Sequence, residues 1–458
     1  MPDLFKGANE EKCRETFEIQ QDFFRQGTTR PTAFRKETLR RLLENLRHRE
    51  DELVDCLTAD LGKPPLEGWL SEVHFIRTEL QLILSKLDHW LRSVSVGHPF
   101  FMQPARSRIV REPFGTALVI APWNYPLQLA LSPAIAAIAA GNCVTIKPSE
   151  FTPATSGALG RLIADSFEVG HATVIQGDAD TSTALLDQPF DHFFFTGGEN
   201  VGRIVAQAAA KHLSPCVLEL GGKCPAIIHD TADLDLSIER IALGKFFNAG
   251  QTCLAPDFVA LPEPLLEPFL TGLATFIEAT FAAHPDDLAH CIHQRHADRV
   301  LSLAPDDAVT AGNDEGLKLA PRWAPVVWDS PAMREEIFGP FLPIVTYASE
   351  DELIERIASM PSPLSLYLFG RDREFEQRAL NRIASGSVCI NDVMKQAINL
   401  ELPFGGVGPS GHGRYRGRHG VEAFSYPRPI TRRFFVPDLF AAKPPYEKLY
   451  QRLRRWMK

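Results

Sequence analysis

The sequence lacks an excess of positive charge, a long unbroken apolar run and closely spaced cysteine pairs. Its formal net charge of −9 over 458 residues argues against nucleic-acid binding, because phosphate backbones are bound by basic surfaces. The most apolar stretch, residues 116–146, is interrupted by three prolines and Gly141. We therefore interpret it as a buried strand, helix and strand rather than a membrane span. The polar, acidic N-terminus has no apolar core of a signal peptide, and we expect a cytoplasmic protein.

Eight cysteines are scattered along the chain, and no two of them form a Cys-x-x-Cys pair. A chain of this length does not need disulfides to fold, so we expect reduced thiols. Residues 290–296 place three histidines close to Cys291. No second group of ligands follows at a metal-binding spacing, and Arg295 and Arg299 would oppose a cation. We therefore expect no metal there and interpret the segment as the solvated start of a helix.

Hydrophobic periodicity predicts an α/β protein. Apolar residues recur every three to four positions over residues 39–46 and again over residues 73–87, which predicts two amphipathic helices. From residue 116 onward, short apolar runs alternate with segments of helical length, a pattern that predicts parallel sheets covered by helices on both faces. The length suggests two or three domains, and the lack of a low-complexity linker predicts that they pack against each other.

Five short segments carry residue types that catalysis requires. They are Pro-Trp-Asn-Tyr-Pro with Asn124, Leu-Glu-Leu-Gly-Gly-Lys with Glu219, Asn-Ala-Gly-Gln-Thr-Cys with Cys253, Glu-Glu-Ile-Phe-Gly-Pro with Glu336 and Phe338, and Pro-Phe-Gly-Gly-Val-Gly at residues 403–408. In this order and spacing the segments resemble the aldehyde dehydrogenase superfamily over nearly the whole chain. The chain length and residues 404–426 are most similar to the class 3 branch, which includes fatty, aromatic and coniferyl-type aldehyde dehydrogenases.

The chemistry of the residues agrees with this resemblance. A thiolate is a suitable nucleophile for an aldehyde carbonyl and leaves well from a thioester, and Cys253 is the candidate. Hydrolysis of the thioester needs an activated water, for which Glu219 is the candidate base. The resemblance implies that the Asn124 side-chain amide and the backbone N–H of Cys253 hold the oxyanion. A lone cysteine is more often a small buried hydrophobe, and we interpret the other seven in that way.

The cofactor site departs from the common dinucleotide fingerprint, because no Gly-x-Gly-x-x-Gly follows a predicted strand. Instead, residues 195–202 lead into a helix whose N-terminus would favour a pyrophosphate. The resemblance implies NAD or NADP, with NAD slightly favoured because Glu150 beside Lys147 would repel a 2′-phosphate. The cofactor-binding residues that it implies are Lys147, Glu150, Thr196, Gly197, Gly198, Gly202, Leu220, Gly221, Glu336 and Phe338.

The resemblance also implies an architecture: an atypical Rossmann-type cofactor domain, an α/β catalytic domain and a small bridging β element that joins two subunits of a homodimer. The implied ranges are 1–97 and 112–220 for the cofactor domain, 221–423 for the catalytic domain, and 98–111 with 424–436 for the oligomerisation arm. Residues 437–458 form a basic amphipathic tail. It can pack on protein or lie on a membrane surface, and packing is favoured because the tail is short.

The sequence does not identify the aldehyde. The pocket walls implied by the resemblance are Trp69, Leu70, Trp123 and Tyr125. They suit an aromatic aldehyde or an aliphatic one of medium or long chain. Two alternatives stay open, namely an enzyme that passes the thioester to coenzyme A and a non-catalytic structural protein that reuses the fold. Glu219 favours hydrolysis over transfer to coenzyme A, and the intact set of catalytic candidates argues against lost chemistry.

Overall fold

Three β-sheets organise the chain in the computed structural model, which describes residues 2–437 and 441–456. The strands are β1 Val94–Val96, β2 Ala105–Pro113, β3 Thr116–Ile120, β4 Cys143–Lys147, β5 Ala172–Val174, β6 His192–Thr196, β7 Cys216–Glu219, β8 Pro225–Ile228, β9 Phe258–Pro262, β10 Val309–Thr310, β11 Arg322–Pro325, β12 Phe341–Tyr347, β13 Ser365–Phe369, β14 Ser387–Ile390, β15 Gly411–His412 and β16 Ser425–Arg433.

Helices precede and connect these strands. They are α1 Pro2–Arg25, α2 Thr32–His48, α3 Glu50–Leu61, α4 Pro65–Gly68, α5 His74–Trp90, α6 Gln128–Ala140, α7 Pro153–Ser166, α8 Ala179–Leu186, α9 Glu199–His212, α10 Leu234–Phe246, α11 Leu266–Ile277, α12 Gln294–Leu303, α13 Glu350–Ser359, α14 Arg373–Arg382, α15 Lys395–Ile398, α16 Gly417–Ala423 and α17 Glu447–Trp456. A π-helical turn, Trp69–Val73, joins α4 to α5. The predicted amphipathic helices are α2 and α5. Their apolar stripes are buried, at Leu39, Leu42, Leu43 and Leu46 in α2 and at Ile76, Leu80, Ile83 and Leu87 in α5.

The first sheet has six strands in the order β15-β7-β6-β3-β4-β5. Strands β3 to β7 are parallel, and only the two-residue edge strand β15 runs antiparallel. Every residue of β3, β4 and β6 is buried, as is every residue of α6. Burial on both faces explains why these strands are continuous apolar runs rather than alternating ones. The predicted α/β class is thereby confirmed.

The second sheet has seven strands in the order β10-β11-β12-β9-β8-β13-β14, all parallel except β10. The chain passes from the first sheet to the second between Glu219, the last residue of β7, and Pro225, the first residue of β8. Gly222 in this crossing has a φ of +151° and lies against the backbone of Pro363, which leaves little space for a side chain. The carboxyl end of β7 therefore lies beside the second sheet.

The third sheet is a solvent-exposed antiparallel ribbon in the order β1-β2-β16. Strand β2 pairs with β16 over nine positions, from Pro113 opposite Ser425 to Ala105 opposite Arg433. Residues of the predicted arm at 98–111 and 424–436 thus contribute two adjacent strands of this ribbon. The domain ranges and the bridging role stay predictions, because a single chain does not test them.

Two surface helices have features that are relevant to membrane contact, namely an apolar composition or exposed aromatic residues. The segment Glu263–Ala282 is long and apolar enough to span a membrane by length and composition. It carries three glutamates and directs Phe269, Leu273 and Ile277 into the core, the pattern of an amphipathic surface helix. Helix α17 leaves Tyr446 before it and Tyr450 within it more than half exposed. Residues 438–440 and 457–458 of the predicted tail, and residue 1 of the predicted cofactor domain, lie outside the described residues.

Candidate active site

Cys253 lies in the loop between α10 and β9, where the backbone is strained. Asn248 and Ala249 both adopt left-handed conformations, with φ of 55° and 51°, which side chains other than glycine disfavour. The loop is nevertheless fixed on both sides of the sulfur. The Cys224 thiol donates to the Cys253 carbonyl at 3.3 Å, and the Tyr367 hydroxyl donates to the next carbonyl at 2.6 Å. The surrounding structure therefore holds Cys253 in a defined position, as a nucleophile requires.

Asn124 reaches the same loop from the segment between β3 and α6. Its side-chain nitrogen donates to the Gln251 carbonyl at 2.9 Å. Its own backbone carbonyl accepts hydrogen bonds from the Asn248 side chain at 2.9 Å and from the Lys63 ammonium at 2.8 Å. The adjacent Tyr125 hydroxyl lies 2.6 Å from the Thr252 hydroxyl. The structure thus brings together Asn124 and the Cys253 loop, which are far apart in the sequence.

A buried ion pair contacts the backbone of Asn124 through its lysine. Lys63 and Glu72 have fully buried side chains whose charged atoms lie 2.6 Å apart. The second Glu72 oxygen accepts the backbone N–H groups of Leu127 and Gln128, at the start of α6, at 2.8 and 3.1 Å. Since the N-terminus of a helix carries free N–H donors, the carboxylate caps α6 while it neutralises the lysine. Sequence reasoning missed both residues, because their partners lie in a distant segment.

Glu219 ends β7 with its side chain only 2% exposed. Neither carboxyl oxygen has a hydrogen-bond partner among the described residues. Burial raises the pKa of Glu219 well above its usual range, and the charges of Arg416 and Arg414 oppose this rise. A carboxyl of raised pKa holds its proton more firmly than an exposed one does, until a substrate or water supplies a donor. Its environment is that of an acid–base residue rather than a surface glutamate.

Cys253 is a thiol in the free protein. Removal from water raises its pKa to about 12, the negative charges of Glu336 and Glu219 add to this rise, and Arg416 opposes it. Glu336 itself has a pKa raised to about 8 by burial and by the charge of Asp257. The thiolate that the sequence analysis requires must therefore be generated during the reaction, either by a proton acceptor or by removal of a nearby negative charge.

A cavity of about 580 Å³ opens onto Cys253 and Thr252. Its walls are largely apolar, and they include Leu70, Phe75, Tyr125, Leu243, Ile398, Phe404 and the cation Arg416. Leu70 and Tyr125 thus line the cavity, as the resemblance implied. Phe75, Phe404 and Arg416 are wall residues that sequence reasoning missed, because they come from segments more than 300 positions apart.

Two predicted pocket residues do not line this cavity. Trp69 points to the other side of its π-helical turn, where its indole N–H donates to Glu50 and it borders a separate surface cleft. Trp123 packs edge-on against Phe338 at 5.4 Å and against His296 at 5.5 Å. Both predictions were wrong, since proximity in the sequence to Leu70 and Tyr125 does not decide which way a side chain points.

The predicted phosphate-binding segment has free donors at its helix. Gly198 is the N-cap of α9, no side chain caps the helix there, and a Cβ at Gly198 would meet no atom within 4 Å. The buried Thr196 hydroxyl, at the carboxyl end of β6, has no partner in the described part of the chain. A Cβ at Gly202 would meet the Leu220 side chain at 2.8 Å, so glycine lets α9 approach β7. This arrangement fits a dinucleotide phosphate.

The remaining predicted cofactor residues lie at the carboxyl ends of the strands or contact segments there. Lys147, 3% exposed at the end of β4, pairs with Glu150 at 2.8 Å. Glu336 lies against Gly221, where a Cβ would be only 2.0 Å from a carboxyl oxygen. Phe338 has a left-handed φ of 52°, and its carbonyl lies 2.8 Å from His296. These donors at the carboxyl ends of the strands fit a nicotinamide dinucleotide.

The histidine-rich segment contains the start of helix α12, as predicted, but it is solvated only in part, at Gln294 and Arg295. Cys291 is fully buried and Ile292 is 8% exposed. The His293 side chain caps α12 by accepting the His296 N–H at 3.0 Å. Within the described residues, no group of three or more potential ligands could hold a metal ion.

Comparison with known proteins agrees with this geometry. The family model described as aldehyde dehydrogenase family matches residues 4–430. The 4,4'-diaponeurosporen-aldehyde dehydrogenase of Staphylococcus aureus is 38% identical, over 95% of this chain and 97% of that protein. Aldehyde dehydrogenase family 3 member H1 of Arabidopsis thaliana is 36% identical, over 93% of this chain and 90% of that protein.

A solved structure shows the same fold. The substrate-bound state of Staphylococcus aureus AldH has a TM-score of 0.94 and 37% sequence identity, and the match covers 97% of this chain and 99% of that chain. The resemblance stated from the sequence is thereby confirmed over almost the full length. The chain belongs to the aldehyde dehydrogenase family, in its class 3-like branch, and is an oxidoreductase.

Proposed function

We propose that this enzyme oxidises an aldehyde to a carboxylic acid through a thioester on Cys253. The observation that carries the proposal is a sulfur on a cavity wall, next to an anchored amide and a buried carboxyl without a hydrogen-bond partner. These are the three groups that nucleophilic attack, oxyanion stabilisation and hydrolysis require. No other described cysteine combines a cavity wall with such neighbours.

The first step is attack of the Cys253 thiolate on the aldehyde carbon. A C–S bond forms, and the carbonyl π electrons move to oxygen, which becomes an oxyanion. The Asn124 side-chain nitrogen has two N–H groups, of which one is engaged by Gln251. The second N–H and the backbone N–H of Cys253 donate to the oxyanion. Donors fixed in advance stabilise this charge without reorganisation.

A nicotinamide cofactor, when bound, would supply the hydride acceptor that oxidation of the adduct to a thioester requires. Lys147 and Glu150 would hold the adenosine ribose, the N-terminus of α9 and Thr196 the phosphates, and Glu336 the nicotinamide ribose. Glu150 accepts from a ribose hydroxyl and repels a phosphate, which supports NAD over NADP. The family uses both cofactors.

Hydrolysis returns the enzyme to its starting state. Glu219, in its carboxylate form, takes a proton from a water, and the water oxygen attacks the thioester carbon. The C–S bond then breaks, the thiolate of Cys253 leaves, and the carboxylic acid is released. A base of raised pKa binds this proton more firmly than an exposed carboxylate does, which favours activation of the water.

The cavity walls support an apolar aldehyde, either aromatic or aliphatic of medium or long chain. Leu70, Leu243 and Ile398 at the wall are 49%, 44% and 60% exposed, so the apolar surface continues from the cavity to solvent. An alkyl chain or ring that leaves water for this surface contributes binding free energy in proportion to the area buried.

We infer that two copies pair through the ribbon of β1, β2 and β16 and that the enzyme works in the cytoplasm. Val94 and Val96 of β1, and Phe434 just after β16, are exposed apolar residues on this ribbon. Exposed apolar patches of this kind are typical of interfaces. Light scattering of the purified enzyme tests the dimer, and fractionation of cells tests the compartment.

A kinetic screen tests the proposed reaction. Propanal, decanal and benzaldehyde are each incubated with NAD or NADP, and the acid and the reduced cofactor are measured with and without coenzyme A. We expect acid formation without coenzyme A, faster turnover of decanal and benzaldehyde than of propanal, and none in Cys253→Ala. Formation of an acyl-coenzyme A would favour the acylating alternative. Absence of reduced cofactor across the panel would favour a non-catalytic role.

A further inference from the structure

We propose that Arg416 is a positioning residue of this site, whose guanidinium is the shared counter-charge for the Cys253 thiolate and the Glu219 carboxylate. The inference rests on the thioester route proposed above. It adds a residue to which neither the sequence motifs nor the implied roles assign a function.

Arg416 is a buried cation on the wall of the catalytic cavity. It is 5% exposed and lines the same cavity as Cys253. Its guanidinium carbon lies 4.1 Å from the ring centre of Phe404 and 4.7 Å from that of Phe75. Stacking between two rings fixes the plane of the guanidinium and attracts its charge.

The guanidinium of Arg416 has few hydrogen-bond partners and no ion-pair partner among the described residues. One terminal nitrogen donates to the Ala397 carbonyl, and its Nε has no partner in the described structure. No carboxylate of the described residues lies within ion-pair distance of it. Glu79, the nearby acid on α5, is engaged by the Ser132 hydroxyl and by the Gly417 N–H. An unpaired buried cation is costly, so it indicates a site where negative charge appears only during function.

The backbone at Arg416 is also strained. Its φ is +80°, at the N-cap of the seven-residue helix α16. Non-glycine residues adopt such conformations rarely, and they persist where the surrounding structure enforces them. This conformation places the guanidinium between α5 and the segment that carries Phe404, which faces the cavity.

The two groups that gain negative charge both lie close to this cation. Cys253 lines the same cavity, and a Cβ at Gly405, the residue after Phe404, would be 3.0 Å from a Glu219 carboxyl oxygen. The groups that face Cys253 are Glu336, Glu219 and Arg416, and those that face Glu219 are Arg416 and Arg414. Tyr415 and Glu79 also lie near Arg416. Arg414 is turned to the carbonyls of Gly406 and Gly413. Its charge acts on Glu219, and it is not among the residues that line the cavity with Cys253. Arg416 is thus the cation common to both acids.

This placement explains how the charge can pass between the two acids. During attack the negative charge is on sulfur, and during hydrolysis it begins on Glu219 and returns to sulfur as the C–S bond breaks. In each state Arg416 is a fixed positive charge nearby. A fixed charge costs no reorganisation as the negative charge moves.

The test compares Arg416→Gln, which keeps a donor for Ala397 but loses the charge, with Arg416→Lys, which keeps the charge. Arg414→Gln is the matched control, because it removes a cation that acts on Glu219 but does not line the cavity with Cys253. The first readout is the pH dependence of alkylation of the single catalytic thiol by iodoacetamide in the full-length protein. The second is the rate of thioester hydrolysis after a burst of reduced cofactor.

We expect the alkylation profile of Arg416→Gln to move upward by about one pH unit and that of Arg416→Lys to stay near the wild type. Arg414→Gln should leave this profile in place. Hydrolysis should slow about tenfold or more in Arg416→Gln. The melting temperature and the circular dichroism of each variant show whether it is folded. If Arg416→Gln does not fold, Arg416→His replaces it, and the shift should then appear only above the pKa of that histidine.

A wild-type alkylation profile and wild-type hydrolysis in folded Arg416→Gln would overturn the proposal. An unchanged alkylation profile combined with a raised KM only for aldehydes that also carry a carboxylate would overturn it too, since Arg416 would then be a substrate anchor. A different result bears on the proposed function itself. If the wild type shows no burst and no trapped thioester, the thioester route fails, whatever the Arg416 variants do.

Discussion

The side-chain nitrogen of Asn124 lies 2.9 Å from the carbonyl oxygen of Gln251, two residues before Cys253. This contact uses one N–H of the amide, and we propose that the other donates to the oxyanion of the substrate. We expect Asn124→Ala to lower kcat by about 10²–10³, the usual effect of losing one oxyanion donor. Steady-state kinetics with decanal measures it. Iodoacetamide labelling of Cys253 is the control, because the thiol itself should react as before. A kcat within a factor of three of the wild type would exclude Asn124 as an oxyanion donor.

The buried ion pair of Lys63 and Glu72 leads to a prediction on stability. Lys63→Met leaves a buried carboxylate without its cation and takes a donor from the Asn124 carbonyl. We expect the free energy of unfolding to fall by about 3–5 kcal/mol. The double variant Lys63→Met with Glu72→Gln should recover part of this loss, since Gln still accepts from the N-terminus of α6. Urea denaturation measures both, and a double variant less stable than the single one would contradict the assignment.

The sequence predicted those parts of the fold and site that local patterns determine. The buried strands and α6 were readable because their apolar runs are continuous, and the predicted catalytic residues lie in segments whose order is itself informative. The sequence could not show that Lys63 meets Asn124, or that Arg416 shares a cavity with Cys253, because these contacts form only between distant segments. The predicted place of Trp69 on the cavity wall was wrong for a local reason. A single residue at a π-helical turn changes the face to which a neighbour points.

Glu336 controls the acidity of Cys253 in the free enzyme. Its charge is the largest influence on the thiol pKa of about 12 after removal from water. We expect Glu336→Gln to lower that pKa, because a neutral amide no longer repels the thiolate. Iodoacetamide labelling should therefore be faster at pH 8 than in the wild type, while the KM for NAD rises through loss of the ribose ligand. Glu335→Gln, on the exposed neighbour, is the control. Slower labelling in Glu336→Gln would reverse the sign and reject this role.

Two histidines outside the catalytic cavity link stability to pH. His171 and His192 are each 1% exposed, and burial lowers the pKa of the first to about 4 and of the second to about 3. In the unfolded chain a histidine titrates near 6.5. Protonation therefore favours the unfolded state. The stability that these groups contribute is complete above about pH 6.5 and is lost as the pH falls toward the folded-state values.

His192 gives the clearer test, because its pKa in the folded state is the lower of the two. The centre of its ring lies 4.4 Å from the ring centre of Phe424 and 5.4 Å from that of Phe114. A pKa of about 3 in the fold against about 6.5 in the unfolded chain makes protonation cost about 2 kcal/mol at pH 5. We expect His192→Phe to lose correspondingly less stability than the wild type between pH 7 and pH 5 in urea denaturation. Exposed His48→Phe should show no such protection. Parallel losses in His192→Phe and the wild type would mean that His192 does not carry this pH dependence.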